Sequence, residues 1–314
     1  MQKTINAVLF VFAVLFGAAG FSVSANAQEA RPCDLCIAAA TGDTAKITEL
    51  IAAGAEVNIT TYYGGMPLMY AARHGRAAAV DLLIENGADK DAQDDRGLTP
   101  VMIAVLAHQA EVVSILLVQH GVNGDIPMNN GWTPLLYASL YGADGTLYLP
   151  LATNTHYSRN TGPGGLTPLM AAAAGNNVPH ANFHARLLGS DVDNNAGNDH
   201  GTTALMFAAY FGHEEVLSTL AAPGGNSNLP VQIDTRDNDG RTAAMIAAAR
   251  AFETNDPRYT NILGILLNRG ADLTLEDNSG FSATDYGQGS AVPGQNGLPP
   301  LSPSLQDFTF SLSP

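Results

Sequence analysis

Basic side chains are scarce in this sequence. Its 314 residues carry 14 lysines and arginines against 29 aspartates and glutamates, a formal net charge of −15 with the histidines neutral. A chain so short of cations lacks the groups that supply most of the affinity for phosphate backbones, so nucleic acid is excluded as the expected partner. Docking on anionic lipid is opposed for the same reason. Cysteine is rarer still. Cys33 and Cys36 are the only two, spaced Cys-Asp-Leu-Cys. No histidine follows the second cysteine, where Ile37 stands, so haem attachment is excluded. A tetrahedral metal site would need two further ligands that the sequence does not place. No Ser-His-Asp set, phosphate-binding loop or zinc-protease motif occurs either. No catalytic residue and no cofactor is therefore assigned, and the chain is not expected to be an enzyme.

The first residues do not belong to a fold. Lys3 gives a short positive region, Ala7 to Ala19 is apolar, and Ala25-Asn26-Ala27 offers small residues for a peptidase. This reads as a secretory signal peptide over residues 1–27, with Gln28 as the new terminus and a periplasmic or secreted mature chain. The competing reading is an uncleaved anchor, since no charge falls between Lys3 and Glu29. The polar, small-residue run Ser22–Ala27 suits a peptidase better than a lipid interior. Cleavage removes one basic residue and leaves 13 basic against 29 acidic side chains, a net charge of −16, which favours solubility and basic partners. No membrane contact is expected of the mature chain. In an oxidising compartment Cys33 and Cys36 can join as a disulfide. The chain-entropy relation gives so small a ring only about 2 kcal/mol, which suits a staple at the start of the first helix. A redox pair is the alternative, with a helix N-terminus lowering thiol pKa as its support.

What the sequence has in abundance is one repeated phrase. It stands as Met66-Pro67-Leu68-Met69-Tyr70-Ala71, Thr99-Pro100-Val101-Met102-Ile103-Ala104, Thr133-Pro134-Leu135-Leu136-Tyr137-Ala138 and Thr167-Pro168-Leu169-Met170-Ala171-Ala172. It continues as Thr203-Ala204-Leu205-Met206-Phe207-Ala208 and Thr242-Ala243-Ala244-Met245-Ile246-Ala247, with Ser282-Ala283-Thr284-Asp285-Tyr286 as a truncated last copy. Spacings between the proline-equivalent positions are 33, 34, 34, 36, 39 and 40 residues. Thr can cap a first helix and Pro is preset for its first turn. Doubled aliphatics at helical spacing follow (Val80, Leu82, Leu83; Val112, Val113, Leu116, Leu117; Ile262, Leu263, Leu266, Leu267), then a closing glycine at 87, 121 or 270. Asp94-Asp95-Arg96-Gly97, Asn129-Asn130-Gly131, Asp237-Asn238-Asp239-Gly240 and Asp277-Asn278-Ser279-Gly280 supply turn chemistry for hairpin-like fingers. The clearest copy runs Gly201-Thr202-Thr203-Ala204-Leu205 through Ala208-Ala209 to Gly212-His213 and Val216.

This pattern resembles the ankyrin-repeat family over about residues 33–287. The resemblance implies an all-α solenoid of stacked helix-turn-helix units with short hairpin fingers. It spans residues 28–287 as about seven units plus a truncated last one, followed by a Pro/Gly/Ser-rich tail over 288–314. Each unit packs only on its neighbours, which frees so long a chain from needing one compact core. Two departures stand out. The family's histidine after T-P-L is Met in most copies and Leu in one, so packing is expected to replace the Thr–His bond. In the fourth unit Pro150 falls within the second helix, so that unit is expected to be bent or irregular.

Family resemblance implies a protein partner, a monomeric array and a binding face formed by the residues just after the Ala pair, on the concave side. Those residues are Arg73 and His74, Leu106 and Ala107, Leu140 and Tyr141, and Tyr210 and Phe211; fingertips add Tyr62, Tyr63 and Trp132. Aromatics and leucines stand there where the family carries charge. Apolar surface of this kind marks partner sites, unless these side chains only fill gaps under displaced fingers. His180 and His184 at i, i+4 are metal-compatible, but no third ligand is in view. Asp191-Val192-Asp193-Asn194-Asn195 resembles the opening of a calcium loop but lacks its Gly and Glu, and reads as a finger, as do Asp234, Asp237 and Asp239. His213 is read as structural. Leu305–Leu312 alternates apolar and polar and can cover the last repeat or bind a partner. Two functional classes remain: a non-catalytic, exported protein-binding module, or a redox or metal-handling protein that uses Cys33 and Cys36 with the repeats as platform.

Overall fold

The computed structural model describes residues 33–142, 146–155, 161–187, 193–222 and 231–289, without the side chains of 184–187. The expected signal peptide and Leu305–Leu312 lie outside them. The described chain forms seven helix pairs and a final single helix. The pairs are α1 Asp34–Thr41 and α2 Thr44–Ala52, α3 Pro67–Arg73 and α4 Ala77–Glu85, α5 Pro100–Leu106 and α6 Ala110–Ser114, and α7 Pro134–Tyr141 and α8 Tyr148–Asn154. They continue as α9 Pro168–Ala174 and α10 Val178–Leu187, α11 Ala204–Phe211 and α12 Glu214–Leu220, and α13 Ala243–Thr254 and α14 Pro257–Asn268, ending with α15 Ala283–Gly287. Odd-numbered helices pack in sequence into a first row and even-numbered ones into a second row behind it. The all-α repeat solenoid is thus the observed architecture.

Local chemistry sets each first-row helix. Thr99, Thr133, Thr167, Thr203 and Thr242 cap with their hydroxyls, accepting from the backbone N–H three residues on. Pro at the first position of α3, α5, α7 and α9 costs nothing there, because that N–H has no partner within the helix. The methionines do more than pack. The sulfurs of Met170, Met206 and Met245 accept from the backbone N–H of Thr167, Thr203 and Thr242 at 3.4–3.5 Å, which closes a two-way cap. A weak thioether acceptor therefore takes part where packing alone was expected. Pro150 is also accommodated: it lies in the first turn of α8, where a missing N–H breaks no helical bond. In the second row, α6 runs on into a π turn at Ile115–Gln119, which absorbs the one extra residue that separates Gly121 from the 33-residue register of Gly87.

Three kinds of hydrogen bond recur along the array, one within each finger and two between units. Within each finger a two-residue turn closes, as in Gly97 N–H to the Asp94 carbonyl at 2.8 Å, with the glycine left-handed at φ 79°. Between fingers, the second residue donates its N–H to the third residue of the finger before: Asp95 to Tyr63, Asn129 to Arg96, Asp199 to Gly164, Asn238 to His200 and Asn278 to Asp239. Between helices, the residue that opens a second-row helix reaches back to a carbonyl at the end of the preceding first-row helix: Arg76 to Ala40, Asn177 to Ser139, and His213 to Ala173.

The run breaks at one place. Pro163 occupies the donating position of its finger and has no N–H to offer to the finger before it. Six pairs turn between their helices through a residue with positive φ (Gly42, Gly75, His108, Asn176, Gly212, Asn255), and Gly142, which follows α7, has φ −83°. Buried apolar side chains divide at the same junction. One cluster extends from Leu35 to Ala152, the other from Trp132 to Tyr286, with α7 contributing to both. Across this seam Asn177, fully buried, donates to the carbonyls of Ser139 at 2.9 Å and Gly142 at 3.1 Å. The Tyr148 ring lies against that of His180, centres 3.6 Å apart and planes tilted by 31°.

Candidate binding face

The residues singled out by sequence do not share one environment. Tyr62 and Tyr63 stand at the tip of the first finger, Tyr62 86% exposed, their rings edge to face at 5.0 Å. Gly64 turns the finger with φ 74° and lies against Asp94 and Asp95 of the next one, so the tip is braced from behind. His74 caps the C-terminus of α3 and is exposed. Partial burial, with the charges of Arg73 and Arg76, pulls its pKa below the ordinary histidine value. Leu106 ends α5 and is half-buried. Tyr141 ends α7, 41% exposed, its ring 4.7 Å from that of Tyr137. Burial raises both phenol pKa values, and for Tyr141 the neighbouring Tyr137 adds to it, so both remain neutral hydrogen-bonding groups at any physiological pH.

Trp132 and Leu140 do not belong to this surface. They are 7% and 6% exposed and sit in the second apolar cluster with Leu136, Leu166 and Leu169. Both fill the space between the fourth and fifth units, so the gap-filling reading holds for them. Tyr210 and Phe211 are half-buried and already engaged. The Arg250 guanidinium lies 4.9 Å from the Tyr210 ring centre, the Tyr259 hydroxyl donates to the Tyr210 carbonyl at 3.0 Å, and Phe211 packs edge to face on Tyr210 at 5.0 Å and stacks on His213 at 6.0 Å.

Sequence reasoning missed a second stripe. The fourth residue of each first-row helix from α3 to α13 faces the same way: Tyr70, Ile103 and Tyr137 are half-buried, whereas Ala171, Phe207 and Ile246 are buried. Large apolar residues in three consecutive copies beside positions already under suspicion were the signal available. The open aromatic surface is therefore concentrated on the first four units: Tyr62 and Tyr63 on the finger, Tyr70, Ile103 and Tyr137 along the helices, and His74, Leu106 and Tyr141 at their ends.

The residues considered for ions serve the fold. Asp237 is buried and accepts from the N–H groups of Asp239 and Arg241 and from the Arg241 side chain. Asp234 accepts from Asp272 N–H, and Asp193 from Asn195 N–H. Asp191, Val192 and the His184 side chain lie outside the described residues. His180 is buried, its Nε2 3.4 Å from the Ser139 hydroxyl. Among the described residues no group of three or more His, Cys, Asp or Glu side chains is placed to hold a metal ion. Cys33 and Cys36 form a disulfide at the start of α1. The Cys33 sulfur accepts from the Cys36 N–H at 3.0 Å in the manner of an N-cap, and Cys36 is buried. No helix among the described residues is long and apolar enough to cross a membrane.

Comparison with known proteins gives a consistent picture. The family described as ankyrin repeats (3 copies) matches over residues 14–94, 35–126, 79–153, 147–230 and 169–277. Similar curated proteins include the human neurogenic locus notch homolog protein 2, 30% identical over 184 residues, 58% of this chain and 6% of that protein. The Drosophila melanogaster neurogenic locus Notch protein is 40% identical over 100 residues, 32% of this chain and 4% of its own length. The Xenopus laevis neurogenic locus notch homolog protein 1 is 34% identical over 164 residues, 52% and 6% respectively. The chain thus spans only a few per cent of the length of these relatives.

Proposed function

We propose, from the premise that this chain belongs to the ankyrin-repeat family, that it is an exported, non-catalytic binding module whose protein partner docks on the aromatic face of its first four units. Ankyrin repeats are protein–protein interaction modules, and stacked repeats of this kind create extended surfaces for binding. The observation that carries the reading is the group of exposed tyrosines at 62, 63 and 141, continuous in sequence register with half-buried Tyr70, Ile103 and Tyr137. Tyrosine offers large, stiff contact area together with a polar tip, which is why it recurs among the side chains that dominate interfaces. Leu106 and His74 extend the face. Tyr210 and Phe211 lie beyond those four units and have less area to offer because Arg250 covers Tyr210.

The test is replacement of Tyr62, Tyr63 and Tyr141 by Ser in the tagged mature chain, followed by capture from the native cell envelope. A specific partner held by the parent chain is expected to be lost while the helical circular dichroism stays unchanged. Retention of the partner at parental level rejects this face. Export rests on residues 1–27, and fractionation with N-terminal sequencing of the mature protein is expected to return a chain that begins at Gln28. An intact Met1 in a cytoplasmic fraction would reject export without touching the binding face.

A further inference from the structure

The array ends on a first-row helix. α15 packs on α13, but nothing in the second row follows α14 among the described residues. The consequence shows at equivalent positions. Seven residues before its closing glycine, α4 carries Val80, fully buried; seven before its own, α14 carries Leu263, only half-buried. Three residues before the glycine, Ile84 of α4 is half-buried, and Leu267 of α14 is 48% exposed. Allowing for the extra residue of the π turn, Val113 and Leu117 repeat the buried pattern. α14 therefore presents toward the end of the array the face that α4 and α6 present to a following helix. Terminal repeats need a polar outer face or a cover, because an open hydrophobic end invites association.

Residues 290–314 do not supply that cover in the usual way. In five units the second-row helix begins ten residues after the first residue of the first-row helix: 34 to 44, 67 to 77, 100 to 110, 168 to 178 and 204 to 214. Ten residues after Ala283 the sequence reads Pro293-Gly294-Gln295-Asn296-Gly297-Leu298-Pro299-Pro300, in which glycines and paired prolines oppose a helix. Beyond it, Phe308, Phe310 and Leu312 alternate with Thr309 and Ser311, so an extended segment puts three large apolar side chains on one side. The path starts in the right place. Gly289, with φ 69°, lies so close to Phe252, itself 52% exposed on the last turn of α13, that a Cβ there would fall on the ring. From Gly289 to Phe308 the chain can reach up to about 60 Å, several times the roughly 18 Å length of α14.

We propose that the carboxyl-terminal segment of this same chain, residues 305–312, docks on the open face of α14 over Leu263 and Leu267 and closes the array in place of the missing second-row helix. The occupant is intramolecular: the chain leaves α15 at the uncovered end, and residues 290–314 hold one apolar-faced segment and no helix-forming second-row sequence.

Amide hydrogen exchange of α14 tests it, in the full mature chain, in a chain ending at Gly289, and in a Phe308→Ser/Phe310→Ser variant. Truncation and double substitution are both expected to raise exchange at residues 263–268 at least tenfold, and to leave α4 unchanged. As a second measurement, Leu267→Cys with Phe310→Cys is expected to form an intramolecular disulfide on mild oxidation, seen as a linked peptide from monomer. Equal α14 exchange in all three proteins overturns the proposal. So does α14 protection that persists after truncation and rises with protein concentration, which would make a second copy of this chain the occupant.

Discussion

The four units before the seam and the three after it solve the same stacking problem with different materials. In the first block the caps of α5 and α7 run one way, from the N–H groups of Met102 and Leu136 to the Thr99 and Thr133 hydroxyls. In the second block Met170, Met206 and Met245 return the bond through sulfur, so each cap is closed from both sides. First-row faces differ in parallel. Tyr70, Ile103 and Tyr137 stay partly open, whereas Ala171, Phe207 and Ile246 are buried and Arg250 lies over Tyr210. At these positions the first block leaves its side chains partly open and the second buries them. A repeat architecture tolerates this because each unit answers only to its neighbours.

The junction is the sharpest place to break that comparison. Asn177→Ala leaves buried carbonyls of Ser139 and Gly142 without their donor and is expected to cost about 2–3 kcal/mol. Its effect should be a separation of the blocks rather than uniform loss. Trp132 is the only tryptophan and is buried at this seam, so its fluorescence is expected to red-shift at lower denaturant than the loss of helical signal. Coincident transitions would show that the blocks unfold as one.

The caps offer a second contrast. Met206→Leu conserves volume but removes the acceptor for the Thr203 N–H, a loss of up to about 1 kcal/mol. Met102→Leu, where Thr99 caps without a returning sulfur bond, is expected to be nearly neutral. Equal losses in denaturant titration would mean that the sulfur contacts contribute only packing.

A smaller effect depends on pH. Burial lowers the His213 pKa in the folded chain, opposed by its bond to the Ala173 carbonyl. The folded value lies below the unfolded one, so the neutral ring is favoured by folding. Stability is full above about pH 6.5 and falls as pH drops through the unfolded value toward the folded one. His213→Asn uses the residue that stands at the equivalent position 177 and keeps a donor for Ala173. It is expected to flatten the acid-side decline of the second block's unfolding midpoint between about pH 7.5 and 5. An unchanged decline would assign it to other groups.

Pro163→Asn gives the smallest change in total stability. The restored finger bond gains about 1 kcal/mol, and the freer unfolded chain costs about 0.4–1 kcal/mol in return. What is expected to change is the coupling: in the Asn177→Ala background the gap between fluorescence and helix loss should narrow.

Much of this was legible in the residues and some was not. The Thr-Pro start, the closing glycines at 87, 121 and 270 and the Asx-rich fingers carry their own backbone chemistry, so they locate helices without knowledge of neighbours. Leu140 and Trp132 misled because their fate depends on how the fifth unit sits on the fourth, a contact across units that no local pattern encodes. The role of Met170, Met206 and Met245 was hidden by their apolar classification, which treats a thioether as a hydrocarbon. Pro163 was visible all along; its meaning needed the register of the fingers, since only then does a missing N–H become a missing bond.

That missing bond bears on how the protein is made. A ribosome releases the amino end first, and a unit gains most of its stability only when the next one is in place to lean on. With no finger bond required from Pro163, units one to four can settle before the rest has emerged, held open at one end until Asn177 arrives. A nascent chain of this kind has a natural pause point, and a release experiment that stalls synthesis near residue 200 should already hold a protease-resistant amino-terminal fragment.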